Sequence, residues 1–192
     1  MLTSALRVVV LLAMLGSSLC AGRWVGFAVT SQPPRFARLE SFIAPTVVPG
    51  SALDGSDKAF ESTGRTRPLL VFVLSTDCRF CRDNMDFWAQ LAASVRSASA
   101  VEIVVLSTSS PDETAALLSA HGLALPTHLI GESGLNLLGL PGVPATLVIE
   151  PGTRRVDGIL GLLEPEAVEI VWRWMSRHQT SPPTISSRAG IE

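Results

Sequence analysis

Apolar runs alternate along the chain with segments in which apolar residues return at every third or fourth position. Pro68 to Ser75 reads PLLVFVLS and Ala100 to Ser107 reads AVEIVVLS. Runs of this kind, rich in Val and Leu, predict strands covered on both faces. Between them Phe80, Cys81, Met85, Trp88, Leu91, Ala92 and Val95 recur at threes and fours. That spacing predicts an amphipathic helix that starts near Cys78 and packs this stripe on the core. A second helix is predicted in SSPDETAALLSAHG, with Ser110 as N-cap, Pro111 at the first helical position, Glu113 closing a capping box and Gly122 as the stop.

Further on, Thr127 to Ile130 is a short strand, ESGLNLLGL a helical connector, and Pro144 to Glu150 another strand. A turn at PGT leads to its hairpin partner RRVDGILG. The last helix, EPEAVEIVWRWMSRH, has acidic residues at its start and basic ones at its end, as the helix dipole favours. This order predicts an α/β fold: a central mixed sheet, parallel strands extended by an antiparallel pair, flanked by helices. Upstream of Pro68 the pattern is weak and reads as a loop, a turn at Asp54-Gly55 and room for one added strand. No internal repeat is present. The tail QTSPPTISSRAGIE lacks periodicity, so residues 179–192 are expected to be disordered.

The first thirty residues are set apart by composition. MLTSALR precedes VVVLLAMLGSSLCAG, one basic residue ahead of an apolar stretch, which is how an export signal begins. Val8 to Gly22 falls short of the roughly 20 residues a membrane span needs. Extension from Leu2 to Val29 reaches that length if Arg7 and Arg23 snorkel to the interfaces. The favoured reading is an uncleaved membrane anchor over residues 1–30; a cleaved signal and lipidation of Cys20 stay open. In each case Arg7 remains inside and the body, residues 31–178 with a core from about 40 to 178, is exported.

Charge narrows the partners. A net charge of −2 and an isoelectric point near 5.9, with both signs mixed along the chain, give no footprint for nucleic acid. The chemistry is concentrated in Cys78-Arg79-Phe80-Cys81. A disulfide across two intervening residues constrains the unfolded chain least, so a structural staple is a poor account of the pair. Structural zinc wants four ligands, and His121, His128 and His178 are scattered; His121 and His128 lack the spacing of a second pair and read as surface residues at the edges of elements. Redox chemistry fits better. The first turn of a helix offers unpaired N–H groups and a positive dipole end, which lower a thiol pKa from about 8.5. Arg79 and Arg82 add positive charge and Asp77 partly opposes it.

A buried strand leading into CRFC at a helix start, then a βαβ unit, then GVPATLVIEPGTRRVDGILG, resembles the thioredoxin fold. With the apolar N-terminus it is similar to the membrane-tethered TlpA-type thiol–disulfide oxidoreductases, over about residues 40 to 178. The resemblance implies that Pro144 is cis and faces the cysteines, and that Val143 and Pro144 bind an extended segment of the substrate. It implies Cys78 as attacking thiolate and Cys81 as resolving thiol, with Asp77, Arg79, Phe80 and Arg82 tuning the site and no metal or organic cofactor beyond the redox-active disulfide. It also implies the partners: exported proteins with cysteine pairs, such as apocytochrome c or copper-handling proteins, and a separate membrane thiol reductase as electron donor. The catalytic body would then lie on the periplasmic side of the cytoplasmic membrane.

Four features, at five positions, depart from the families concerned. Asp77 stands where many relatives have Trp, Phe72 where thioredoxin has a buried Asp, and Asn84 where TlpA-like reductases often have Glu. The Arg79-Phe80 pair between the cysteines is unusual. Two rival readings are a peroxiredoxin-type peroxidase and a copper(I) chaperone. For the first, Ser75 fits the hydroxyl position but Val71 occupies the proline position. For the second, Met85 is the one nearby soft ligand, and it reads as core.

Overall fold

Six consecutive apolar residues, Leu69–Leu74, form a strand buried at every position, and the other elements are arranged around it. A computed structural model of the chain describes residues 36–98 and 101–176. The readings made above for residues 1–30, for Cys20, for His178 and for the tail fall outside them. In chain order the strands are β1 (Phe36–Ile43), β2 (Val47–Val48), β3 (Ser51–Ala52), β4 (Phe60–Glu61), β5 (Leu69–Leu74), β6 (Glu102–Ser107), β7 (Thr127–Leu129), β8 (Ala145–Ile149) and β9 (Arg155–Gly161). The helices are α1 (Arg79–Ala98), α2 (Pro111–Ala120), α3 (Gly131–Leu137) and α4 (Pro165–Ser176). Among the described residues no helix is long and apolar enough to cross a membrane.

A seven-stranded sheet has the order β1-β9-β8-β5-β6-β7-β3, and β2 pairs with β4 in a separate ribbon. Strands β5, β6 and β7 run parallel, whereas β8 is antiparallel to β5 and β9 to β8. Alternate residues of β5 serve opposite faces. Leu70, Phe72 and Leu74 join Met85, Trp88 and Leu91 of α1 and Val171, Trp174 and Met175 of α4. Leu69, Val71 and Val73 join Phe60, Leu106, Leu138 and Leu147 on the other side. The mixed sheet and its helical layers match the architecture expected from the apolar pattern.

One aromatic pair fixes α1 against the sheet. Phe72 and Trp88 stack with ring centroids 5.1 Å apart, and the indole Nε1 donates to Thr146 Oγ1 at 2.9 Å. The helix therefore touches β5 through a ring and β8 through a hydrogen bond, so its N-terminal turn is held at a set height over the strand ends.

Three expectations are corrected. The upstream segment is not mainly loop: β1 is an eight-residue strand, antiparallel to β9. A register shift between Leu39 and Phe42 leaves Phe36, Leu39 and Phe42 facing inward at intervals of three, which hid the strand's alternation. The capping box of α2 does not form either. Ser110 Oγ donates to Glu113 Oε2 at 2.6 Å, and no side chain caps the backbone. At the other end the stop is as expected: Gly122 has φ +67°, and Leu123 N–H reaches back to the Leu118 carbonyl at 2.9 Å. Lastly, Phe80 leaves the predicted stripe. Its neighbours Cys81, Met85 and Trp88 are buried, but Phe80 is 54% exposed.

Candidate active site

The chain leaves the C-terminal end of β5 at Ser75, turns through Thr76 and Asp77, and enters α1 at Arg79. Cys78 is the N-cap of that helix. Its carbonyl accepts the first helical N–H groups, from Cys81 at 3.1 Å and Arg82 at 3.3 Å. Its sulfur takes the place that a Ser or Asp oxygen has in an ordinary cap: Cys78 Sγ accepts the Cys81 N–H at 3.2 Å. No acidic residue lies in the first turn of α1. The sulfur at the cap therefore faces the positive end of the helix dipole with one N–H already aimed at it.

The two cysteines, both free thiols, differ in access. Cys78 is half-buried and Cys81 is wholly buried. Burial pushes the Cys81 thiol well above its ordinary value, with a further upward push from its hydrogen bond with Cys78. The sign of the consequence follows from linkage. A thiol held protonated in the fold contributes stability that is complete below the unfolded value of about 8.5 and is lost as pH rises toward the raised value. The reduced protein is expected to lose stability steadily between pH 8 and 10, with a shallower slope in Cys81→Ala. Denaturant midpoints at successive pH values measure this, and identical slopes in both proteins would refute it.

The loop ahead of Cys78 is held by hydroxyl groups, of which the sequence pattern singles out Ser75 but not Thr76 or Ser109. Ser109 Oγ accepts Thr76 N–H at 2.8 Å and Thr76 Oγ1 at 3.0 Å, and lies 3.2 Å from Ser75 Oγ. Arg82 folds back to donate from Nη1 to the Thr76 carbonyl at 2.7 Å. Asp77 and Arg79 are exposed on either side of the sulfur.

Across from Cys78 stands the connection into β8. The Val143–Pro144 peptide is cis, and Cys78 Sγ lies 3.7 Å from the Val143 carbonyl, close enough for the S–H to donate. Pro144 is buried and its carbonyl accepts the Gly161 N–H at 2.8 Å. Residues separated by 65 positions are thus brought to one sulfur.

The departures at Phe72 and Asn84 have structural explanations. Phe72 is the ring beneath Trp88. Asn84 is fully buried, its Nδ2 donating to the Gly161 carbonyl at 3.0 Å and its Oδ1 accepting the Leu163 N–H at 2.8 Å. Both polar ends are committed to the β9–α4 connection. Met85 is buried in the core, as its place in the helical stripe implied, and Val71 is buried within β5. Among the described residues no group of three His, Cys, Asp or Glu side chains is arranged to hold a metal ion.

The histidines are not both at the surface. His121 is half-buried, with Nδ1 3.2 Å from Asp86 Oδ1. His128 is buried inside β7, edge-on to Phe60, and its Nδ1 bonds the Lys58 carbonyl at 3.2 Å. Burial lowers its pKa from the ordinary value. The segment carrying β3 and β4 covers β7, which the sequence pattern did not reveal.

No protein-family model and no curated protein matches the sequence. Solved structures do. The MTB dsbF structure, in mixed oxidized and reduced forms, is 17% identical with a TM-score of 0.57, covering 71% of this chain and 99% of that one. A thiol:disulfide interchange protein of the thioredoxin family from Chlorobium tepidum is 17% identical with a TM-score of 0.54, covering 74% and 99%. A secreted Mycobacterium tuberculosis disulfide oxidoreductase homologous to E. coli DsbE is 16% identical with a TM-score of 0.50, covering 64% and 94%. The chain has the thioredoxin fold. Within that fold the paired cysteines lie at the start of the helix following a central strand, and the cis proline precedes the antiparallel strand beside it.

Proposed function

We propose that the chain is an exported dithiol–disulfide oxidoreductase that reduces disulfides in exported proteins. The observation that carries the reading is the unequal pair: Cys78 sits at a helix cap with its sulfur bonded to a backbone N–H, and Cys81 is buried one turn behind it. The Cys78 thiolate attacks one sulfur of a partner's disulfide, forming a mixed disulfide and expelling the partner's other sulfur as a thiolate. Cys81 then gives up its proton and attacks Cys78. The Cys78–Cys81 disulfide forms and the partner leaves with both cysteines reduced. Two electrons pass from the pair to the partner, and a membrane thiol reductase restores them.

Val143 and Pro144 are assigned to the substrate groove. The Val143 carbonyl beside Cys78 Sγ can accept a backbone N–H of an extended segment lying across the site. Asp77, Arg79 and Arg82 set the charge around the sulfur. Partners of the kind the TlpA resemblance implies are apocytochrome c and copper-handling proteins. Export is supported by Arg7 ahead of the apolar N-terminus, and by likeness to a structure described as secreted. The favoured location is the cytoplasmic membrane, held by the N-terminal segment, with the body on the periplasmic side.

One experiment addresses both chemistry and compartment. Spheroplasts carrying the full chain are treated with a bulky maleimide that does not cross the membrane, with and without prior diamide. Cys78 is expected to be labelled without diamide, protected after it, and labelled again once dithiothreitol is added. Labelling only after lysis would refute export. A pair that stays oxidised under dithiothreitol would refute the redox role.

A further inference from the structure

Five large apolar side chains are exposed among the described residues: Ile43, Val47, Phe80, Phe87 and Leu137. Scattered exposed apolar residues are ordinary on protein surfaces and need no function. Phe80 differs by position. It lies between the two cysteines, in the first turn of α1, two residues from the sulfur that a partner must reach. A disulfide bond is about 2 Å long, so any polypeptide joined to Cys78 covers the surface next to it. The apolar periodicity of α1 would put Phe80 against the core, and the structure leaves it 54% exposed.

Charge does not compete with it as a determinant. Asp77 and Arg79 are both exposed and of opposite sign, while the Arg82 guanidinium is engaged by the Thr76 carbonyl. Of the five exposed large apolar side chains among the described residues, Phe80 is the one within two positions of Cys78.

Resting on the oxidoreductase reading, we propose that Phe80 is a specificity-determining residue that favours partners whose disulfide is flanked by large apolar side chains. In the non-covalent complex that precedes exchange, and in the mixed disulfide that follows it, such a side chain packs on the ring and both leave water. A partner with small polar residues there gains nothing from it. The preference belongs to binding, so it is carried by KM rather than by the exchange step.

The test compares three substrates with wild type, Phe80→Ser and Phe87→Ser. The substrates are a small polar disulfide (bis(2-hydroxyethyl) disulfide), a synthetic cyclic peptide disulfide flanked by Leu and Phe, and the same peptide flanked by Ser. Phe87 is 36% exposed and lies seven positions, about two turns, further along α1, so its variant controls for general loss of apolar surface. Phe80→Ser is expected to lower kcat/KM for the apolar peptide about tenfold, mainly through KM. It is expected to leave the Ser-flanked peptide and the small disulfide unchanged, as Phe87→Ser leaves all three. Because the ring is exposed, the thermal midpoint should hold. Equal losses on all three substrates, or no loss on the apolar peptide, would overturn the proposal while leaving the oxidoreductase reading in place. A wild type that reduces none of them overturns both.

Discussion

A Cys81→Ser protein is expected to accumulate covalent complexes with its partners, whereas Cys78→Ser traps almost nothing and falls to background activity. The asymmetry comes from burial. Cys81 is wholly enclosed, so no partner's disulfide reaches it, and only Cys78 can make the first attack. Once the mixed disulfide exists, the next thiol to act is Cys81, which lies behind Cys78 and shares a hydrogen bond with it. Replacing its sulfur with oxygen removes the group that releases the partner. Non-reducing gels of whole cells expressing each variant, with a reduced lane alongside, read the result directly. High-mass species should appear in Cys81→Ser and vanish with reductant. Equal trapping in both variants would reject the assigned order.

The same burial shapes the pH behaviour of that release. Cys81 gives up a proton that burial holds on it. The two positions where the resembled families carry a carboxylate for proton movement are filled by Phe72 and Asn84. Neither can accept a proton, one being a ring stacked on Trp88 and the other an amide with both ends bonded. The chain thus keeps the cysteine pair at the helix start, and uses Phe72 to pack α1 on the sheet and Asn84 to bond the β9–α4 connection.

How much of this was legible in the sequence varied with the length scale of the signal. The β5 run, the α1 stripe and the CRFC spacing are local patterns, and each predicted its element and its place. The pairing of Cys78 with Val143 is not local, and only resemblance to a known fold brought Pro144 to the site. Strand β1 was obscured because its bulge replaces a period of two with a period of three. His128 read as a surface residue because its burial depends on β3 and β4, two-residue strands too short to show any period. Phe80 matched the helical stripe and broke it, since periodicity cannot see where the layer above a helix ends. Asn84 was noticed for the carboxylate it replaces, and its actual partners lie 77 and 79 positions away.

Asn84 also carries the second large effect. Removing its side chain leaves the Leu163 N–H and the Gly161 carbonyl without their partner in a buried place, and Asn84→Ala is expected to cost about 2 kcal/mol at any pH between 4 and 8. Asn84→Asp should behave differently. Ionised, the carboxylate still accepts from Leu163 N–H, but it turns an acceptor toward the Gly161 carbonyl where Nδ2 now donates at 3.0 Å. Protonated, its O–H restores that donation. The fold therefore favours the protonated acid and raises its pKa above the unfolded value of about 3.9. A raised value means stability that is present below about pH 3.9 and lost as pH climbs through the folded value. At pH 7 the variant should be about 3 kcal/mol less stable than wild type, and acidification to about pH 4.5 should close much of the gap. Denaturant midpoints of wild type and both variants at the two pH values decide it. A deficit in Asn84→Asp that does not change with pH would mean that its carboxylate never faces the Gly161 carbonyl, and that the connection into α4 is held by other contacts.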